Sequence, residues 1–277
     1  MSDAVDSVGR PVRRRPPPVL LVGGTIGALV FVLPLVALLI EAPWGSLSEL
    51  LGSGPVRSAL WLSLVTSVVA TAVSVVLGVP LAWVLARTRL PGRHLLRAVC
   101  TLSMVLPPVV AGVALFLALG RRGVLGSWLD DWFGVRLPFT TPGVVVAQVF
   151  VAMPFLVLTV DAAIQQLDGR AEDAARTLGA SEWYVFRRVT LPSVRTALVA
   201  GTVLTWARAL GEFGATITFA GSLPGVTRTL PLEAYLALET DLDRAVLVSL
   251  LLVVISFAVL VALRGRWLGH LTDGRRS

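Results

Sequence analysis

Apolar residues arrive in this chain in blocks of about twenty, the length that spans bilayer hydrocarbon, and that spacing limits its fold more than any other feature. The blocks run over roughly 19–40, 58–86, 95–119, 142–160, 195–219 and 244–263. At ~1.5 Å of rise per residue even the shortest crosses about 30 Å as a helix. The second is longer than a crossing needs, so tilt or a cytoplasmic extension is expected. A soluble chain of 277 residues would also need far more charge than the 15% found here beside 55% hydrophobic residues. The pattern predicts an all-α integral membrane protein with six transmembrane helices. It divides into a basic tail over 1–18, a membrane domain over 19–263 and a basic tail over 264–277. The Pro-rich first segment lacks a small-residue cleavage site after the first apolar block, so no removed leader is expected.

Arginine placement sets the orientation. With the N-terminus inside, seventeen arginines fall on the cytoplasmic side, including Arg13 to Arg15, Arg87, Arg97, Arg187 and Arg188. Six fall outside, and Arg208 lies within a span. Cytoplasmic loops carry the excess of basic residues, so both termini are predicted to be inside. The net charge of +7 is thereby a matter of topology, and nucleic-acid binding is not expected. Trp44, Trp128 and Trp132 fall in the outer loops as interfacial anchors would.

Several chemistries are poorly served. Every basic residue is Arg, and a Walker A loop needs Lys, so this chain encodes no P-loop ATPase. One cysteine, Cys100, cannot build a disulfide framework. His94 and His270 stand alone, which supports neither zinc nor haem ligation, and no cofactor is expected. No catalytic group is predicted, and no outer loop is long enough for an enzymatic domain.

One polar insert interrupts the apolar pattern. In "EDAARTLGASEWYVFRRVTLP", residues 172–192, Glu172 and Asp173 suit the first turn of a helix. Gly179 ends that helix, Ser181 starts a second, and Pro192 is predicted to close the unit. Ala174, Ala175, Leu178, Trp183, Val185 and Phe186 form an apolar stripe. By amphipathicity alone the insert is either a linker lying on lipid headgroups or a projecting knob whose small residues admit another surface.

A second cluster lies in the fifth block. Arg208 and Glu212 are four residues apart and share a helix face. They either satisfy each other and lock packing, or face a translocation path where Arg208 attracts an anion. Gly211 and Gly214 flank Glu212 and allow close backbone approach or flexing at a gate. Pro107 and Pro108 in the third block predict a kink, serving packing or turning freed carbonyls toward a pore.

The run Asp173-Ala174-Ala175, three residues, Gly179, nine residues, then Val189-Thr190-Leu191-Pro192 resembles the EAA loop of ABC-type import permeases. Asp173 stands where the family has Glu. "MVLPPVVAG", "GEFGAT", "FAGSLPG" and "TRTLPLEAY" look like the molybdate branch of those permeases, with Ser222 in place of its usual Asn. Sulfate permeases share "GEFG" but usually diverge after it. The resemblance covers about residues 58–263. It implies the type I importer permease fold, with a cytoplasmic coupling helix between the fourth and fifth spans. It implies ATPase coupling through Glu172, Asp173, Ala174, Ala175, Gly179, Leu191 and Pro192. A path or gate at Pro107, Pro108, Arg208, Gly211, Glu212 and Gly214 is expected. The implied setting is a bacterial inner membrane, with a homodimer, two cytoplasmic ATPase subunits that bind ATP and magnesium, and an external oxyanion-binding protein. Permeation of sulfate or tungstate is the near alternative. An ion-coupled secondary transporter is the distant one, disfavoured because only Arg208 and Glu212 are ionisable within the spans and no internal repeat is visible.

Overall fold

The computed structural model describes residues 17–273, and among these every regular element is helical. The chain separates into two compact units, residues 1–42 and 43–277. The first contains α1 (Pro18–Ile40), a 23-residue helix with no charged side chain. Residues 1–16 and 274–277, which include parts of both predicted tails, lie outside the described residues.

The second unit begins with a short α2 (Leu47–Gly52), followed by the 34-residue α3 (Gly54–Arg87). Then come α4 (Arg93–Val105), α5 (Pro108–Leu119), α6 (Gly126–Phe133) and α7 (Thr141–Gln165). The polar insert supplies α8 (Arg170–Thr177), α9 (Glu182–Val185), a π-helical turn over Phe186–Thr190, and α10 (Leu191–Ser193). The chain ends with α11 (Arg195–Leu210), α12 (Gly214–Phe219), α13 (Leu230–Thr240) and α14 (Leu242–Asp273). Helix α14 therefore continues well past residue 264, where the sequence reading began a tail.

Among the described residues four helices are long and apolar enough to cross a membrane: α1, α3, α7 and the first part of α14. The third and fifth predicted spans are each split in two. In the third, Leu106 (ψ 133°) and Pro107 (ψ 131°) are extended between α4 and α5. Each of these residues precedes a proline, whose ring disfavours the helical region for the residue before it, so a double proline breaks the helix outright. In the fifth, α11 stops at Leu210 and α12 starts at Gly214.

Helix α7 is the axis of packing. Val79, Ala82 and Leu85 of α3 meet Leu156, Val157, Val160 and Ile164 of α7, with Cys100 and Val194 closing the cluster. Ala70, Ala152 and Ala209 bring α3, α7 and α11 together, with Val145 and Val149 of α7 packed against them. Glycines tighten the same seams. A Cβ on Gly78 would lie 3.2 Å from Met153 and Val157, and one on Gly201 would lie 3.0 Å from Leu156. Small residues let apolar helices approach closely where the solvent is itself apolar and dispersion must hold them. Buried hydroxyls of α3 are satisfied by their own helix: Thr66, Thr71 and Ser74 donate to the carbonyls four residues back at 2.7–2.8 Å.

The two broken spans pack on each other. Ala111 and Leu115 of α5 share a cluster with Ala215 and Phe219 of α12 and with Ala147 and Val151 of α7. A Cβ on Gly214 would sit 2.5 Å from Cβ of Pro108, and one on Gly112 would sit 2.5 Å from Cβ of Thr218. Neither contact leaves room for a methyl group. Gly214→Ala should therefore cost about 1–3 kcal/mol by overpacking. A thermal melt of the purified chain should show a midpoint lowered by several degrees, and an unchanged midpoint would show that the two breaks are not in tight contact.

Candidate functional site

At the broken span, Nη1 of Arg208 lies 2.6 Å from Oε2 of Glu212. The contact is ionic rather than an aligned hydrogen bond. The other oxygen, Oε1, accepts a hydrogen bond from the backbone N–H of Ala215 at 2.8 Å. Glu212 thus spans the break, capping the start of α12 while holding the last turn of α11. Its side chain is 1% exposed and that of Arg208 is 29% exposed, so Arg208 forms the accessible edge of the pair. The sequence reading placed both on one helix face; they do meet, but Glu212 lies beyond the end of α11. Gly211 and Gly214, expected to act alike, differ. Gly214 is pressed against Pro108, whereas a Cβ on Gly211 would have its nearest neighbour at 3.6 Å.

The insert divides as its sequence predicts up to its far end. Gly179 has φ +86°, a left-handed conformation that favours glycine, and it turns the chain after α8. Ser181 then caps α9, its hydroxyl accepting from the Tyr184 N–H at 3.3 Å. Pro192 does not close the unit. It lies inside α10, and the chain passes with little interruption from α9 into α11. Proline has no N–H to give to the turn before it, and the preceding residues widen into the π turn instead.

Neighbouring carboxylates of α8 face different ways. Asp173 is 77% exposed and pairs with Arg176 at 2.9 Å. Glu172 is 5% exposed, with Oε2 3.0 Å from Nε of Arg87. Leu178 and Trp183 of the predicted stripe are exposed, at 88% and 67%, while Val185 is buried. Ala174 is exposed and Ala175 half-buried, and Leu191 and Pro192 flank the foot of α11. The ring of Phe186 meets Trp183 at 5.6 Å on one side and Trp83 of α3 at 5.9 Å on the other.

Arg176 is the hub of the exposed surface, reaching Glu182 at 2.7 Å as well as Asp173. Hydrogen bonding from Arg176, with its charge, holds the Glu182 carboxyl below the ordinary value of 4.5 and raises the guanidinium in turn. Flanking α6, Arg136 and Arg121 likewise hold Asp130 of that helix below the usual carboxylate range.

Two buried carboxylates, Asp161 and Glu233, and the buried pairing of Glu172 escaped the sequence reading. Asp161 of α7 takes a two-pronged contact from Arg97 of α4, at 2.8 and 3.0 Å, plus the Gln165 amide at 2.8 Å. Glu233 of α13 pairs with Arg244 and, at 3.6 Å, with Arg228. Glu172 also takes the hydroxyl of Thr190 at 2.6 Å. Acidic residues at the borders of apolar blocks were the available signal for Asp161, which immediately follows the block ending at 160. Among the described residues no group of His, Cys, Asp and Glu has the arrangement of a metal site.

Residues 74–273 match the family described as binding-protein-dependent transport system inner membrane component. The chain belongs to that family. Among its relatives, the molybdenum transport system permease protein ModB of Mycobacterium bovis is 47% identical over 242 residues, covering 87% of this chain and 91% of that protein. The sulfate transport system permease protein CysW of Synechocystis is 38% identical over 248 residues, covering 87% and 90%. The fold resembles a bacterial ABC transporter involved in import of the acidic polysaccharide alginate. The TM-score is 0.74 at 17% identity, over 90% of this chain and 93% of that one, a likeness of fold alone. The family is a transport component of the inner membrane, and the relatives named here are permease proteins.

The Arg176 hub yields a titration test. A depressed carboxylate stabilises the knob above its unfolded-state value, and that contribution disappears as pH falls through the folded value. Carbon-13 NMR of labelled glutamates should give Glu182 a midpoint below 4.5 that rises toward 4.5 in Arg176→Gln. Equal midpoints in the two proteins would mean that the hub does not form.

Proposed function

We propose that this chain is the membrane permease of an ATP-driven importer of molybdate, coupled through residues 172–192 to a separate cytoplasmic ATPase. The observation that carries the reading is the insert itself: a glycine-turned pair of short helices with an exposed apolar and charged surface, in a family of binding-protein-dependent permeases. Leu178, Trp183, Asp173 and the Arg176 hub present the contact face, and Gly179 sets the angle between its halves.

In this reading the chain crosses the membrane six times, with α4–α5 and α11–α12 acting as broken crossings and both termini cytoplasmic. Two copies line one path. An external binding protein delivers the anion, and closure of two ATPase subunits on ATP moves the insert. Rocking of α4–α5, α7 and α11–α12 then exchanges access between the two sides. Arg208 faces the path as a weak attraction for a dianion. Its partner Glu212 offsets most of its charge, so the anion is passed on without being trapped. Sulfate is the second reading, favoured by the CysW relative at 38% identity.

The test is uptake into vesicles holding this chain with its candidate ATPase and binding protein. The expected result is molybdate uptake that requires ATP, and loss of at least about tenfold in Gly179→Asp, which strains the turn and places a charge on the contact face. Preferential uptake of sulfate would transfer the assignment to that anion. Uptake driven by a proton or sodium gradient without ATP would overturn it.

A further inference from the structure

Among the charged residues over 170–190, Glu172 alone is buried. Its two oxygens are shared between segments that are distant in sequence. Oε2 lies 3.0 Å from Nε of Arg87, the last residue of α3. Oε1 accepts from the hydroxyl of Thr190, itself fully buried at the end of the π turn that leads into α11. One carboxylate therefore joins the end of one long helix, the exposed insert and the foot of a broken one. Neither Nε nor Nη2 of Arg87 makes an aligned hydrogen bond, so charge holds that leg of the contact.

We propose that Glu172 is the strut through which movement of the insert reaches α3 and α11 together, a positioning role that rests on the coupling function proposed above. Successive residues of a helix point about 100° apart, so Asp173 can face a docked partner while Glu172 faces the spans. Apolar contacts such as Phe186 on Trp83 can slide under load. A buried carboxylate cannot leave its arginine without stranding a charge out of water, so the three segments move as one body. The comparable Arg97–Asp161 contact joins α4 to α7 and does not include the insert, so it cannot serve this purpose. The π turn suits the same role: its wider backbone carries Thr190 to the carboxylate at the point where α11 begins.

The test uses the complete reconstituted importer and reads molybdate transported per ATP hydrolysed. Glu172→Gln keeps an acceptor for Thr190 and removes only the charge that holds Arg87. Molybdate moved per ATP hydrolysed should fall about tenfold in the assembled complex, whatever the absolute rate of hydrolysis. Thr190→Val, nearly isosteric, should lower the same ratio by less, and the exchanged pair Arg87→Glu with Glu172→Arg should recover part of it. Uptake and hydrolysis falling in proportion, or a ratio unchanged in both single variants, would overturn the strut. If the exchanged pair does not assemble, the ratio in Thr190→Val decides. A wild-type complex that imports without ATP would overturn the coupling reading itself, an outcome distinct from a changed ratio in a complex that requires ATP.

Discussion

Hydrocarbon cannot solvate a peptide group, so a membrane protein that interrupts two of its apolar segments must bury both interruptions against protein. That requirement organises much of the second unit. The break at Pro107 has few donors to satisfy because two successive residues lack an N–H. The break at 211–213 is bridged by Glu212, whose carboxylate accepts from the N–H of Ala215 in the first turn of α12. The two then lean on each other through Gly214 on Pro108 and Gly112 against Thr218, contacts too close for any side chain larger than hydrogen. Each break is thereby packed by the other, and a movement that separated them would expose backbone from both. The two broken segments are constrained to shift jointly.

A second regularity follows from the same solvent. Asp161, Glu172, Glu212 and Glu233 are all nearly fully buried and all lie against arginine. A planar guanidinium offers several donors in fixed geometry, so one side chain can neutralise a carboxylate and still reach a backbone carbonyl, as Arg97 does at Leu85. A buried pair of this kind adds little net stability, but its partners cannot part cheaply. Such pairs are best placed where the fold must hold register while other contacts move. Two of these four join elements far apart in the chain, Glu233 joins the consecutive helices α13 and α14, and Glu212 closes the gap between α11 and α12.

Much of this was legible in the sequence. Block length gave α1, α3 and α7 closely but stopped well short of the end of α14, and Gly179 and Ser181 marked their turn and cap correctly because both signals are local. Pro107 and Pro108 were read as a kink and prove to be a full break, since each restricts its predecessor and the two effects compound over Leu106 and Pro107. Pro192 was read as a stop, but its missing N–H is accommodated by the π turn and the helix continues. The pairing of Glu172 with Arg87 was not legible at all. It spans eighty-five positions, and no periodicity connects a residue of α8 to the end of α3 until the fold brings them together. Asp173, one position on, looked equally suited to the same role.

The positions of stiff and soft contacts bear on how such a chain could convert motion into passage. The polar clamp at Glu172 lies at the insert, and the cluster beneath it interlocks α3, α7 and the foot of α11 through branched side chains and glycine-fitted seams. Going along α11 away from the insert, that packing thins to the three alanines at 70, 152 and 209, and then the helix ends. Alanine contacts bury little area and hold register weakly compared with leucine and valine. Displacement applied at the insert would travel through the stiff half and be absorbed at the break between α11 and α12, where the last backbone hydrogen bonds of α11 come from Gly211 and Glu212. Arg208 stands one turn before that point, fastened to Glu212 on the other side of it. A rotation there changes how much of the Arg208 charge the carboxylate neutralises. In the importer proposed above, one motion would thus both open the path and alter its attraction for an anion.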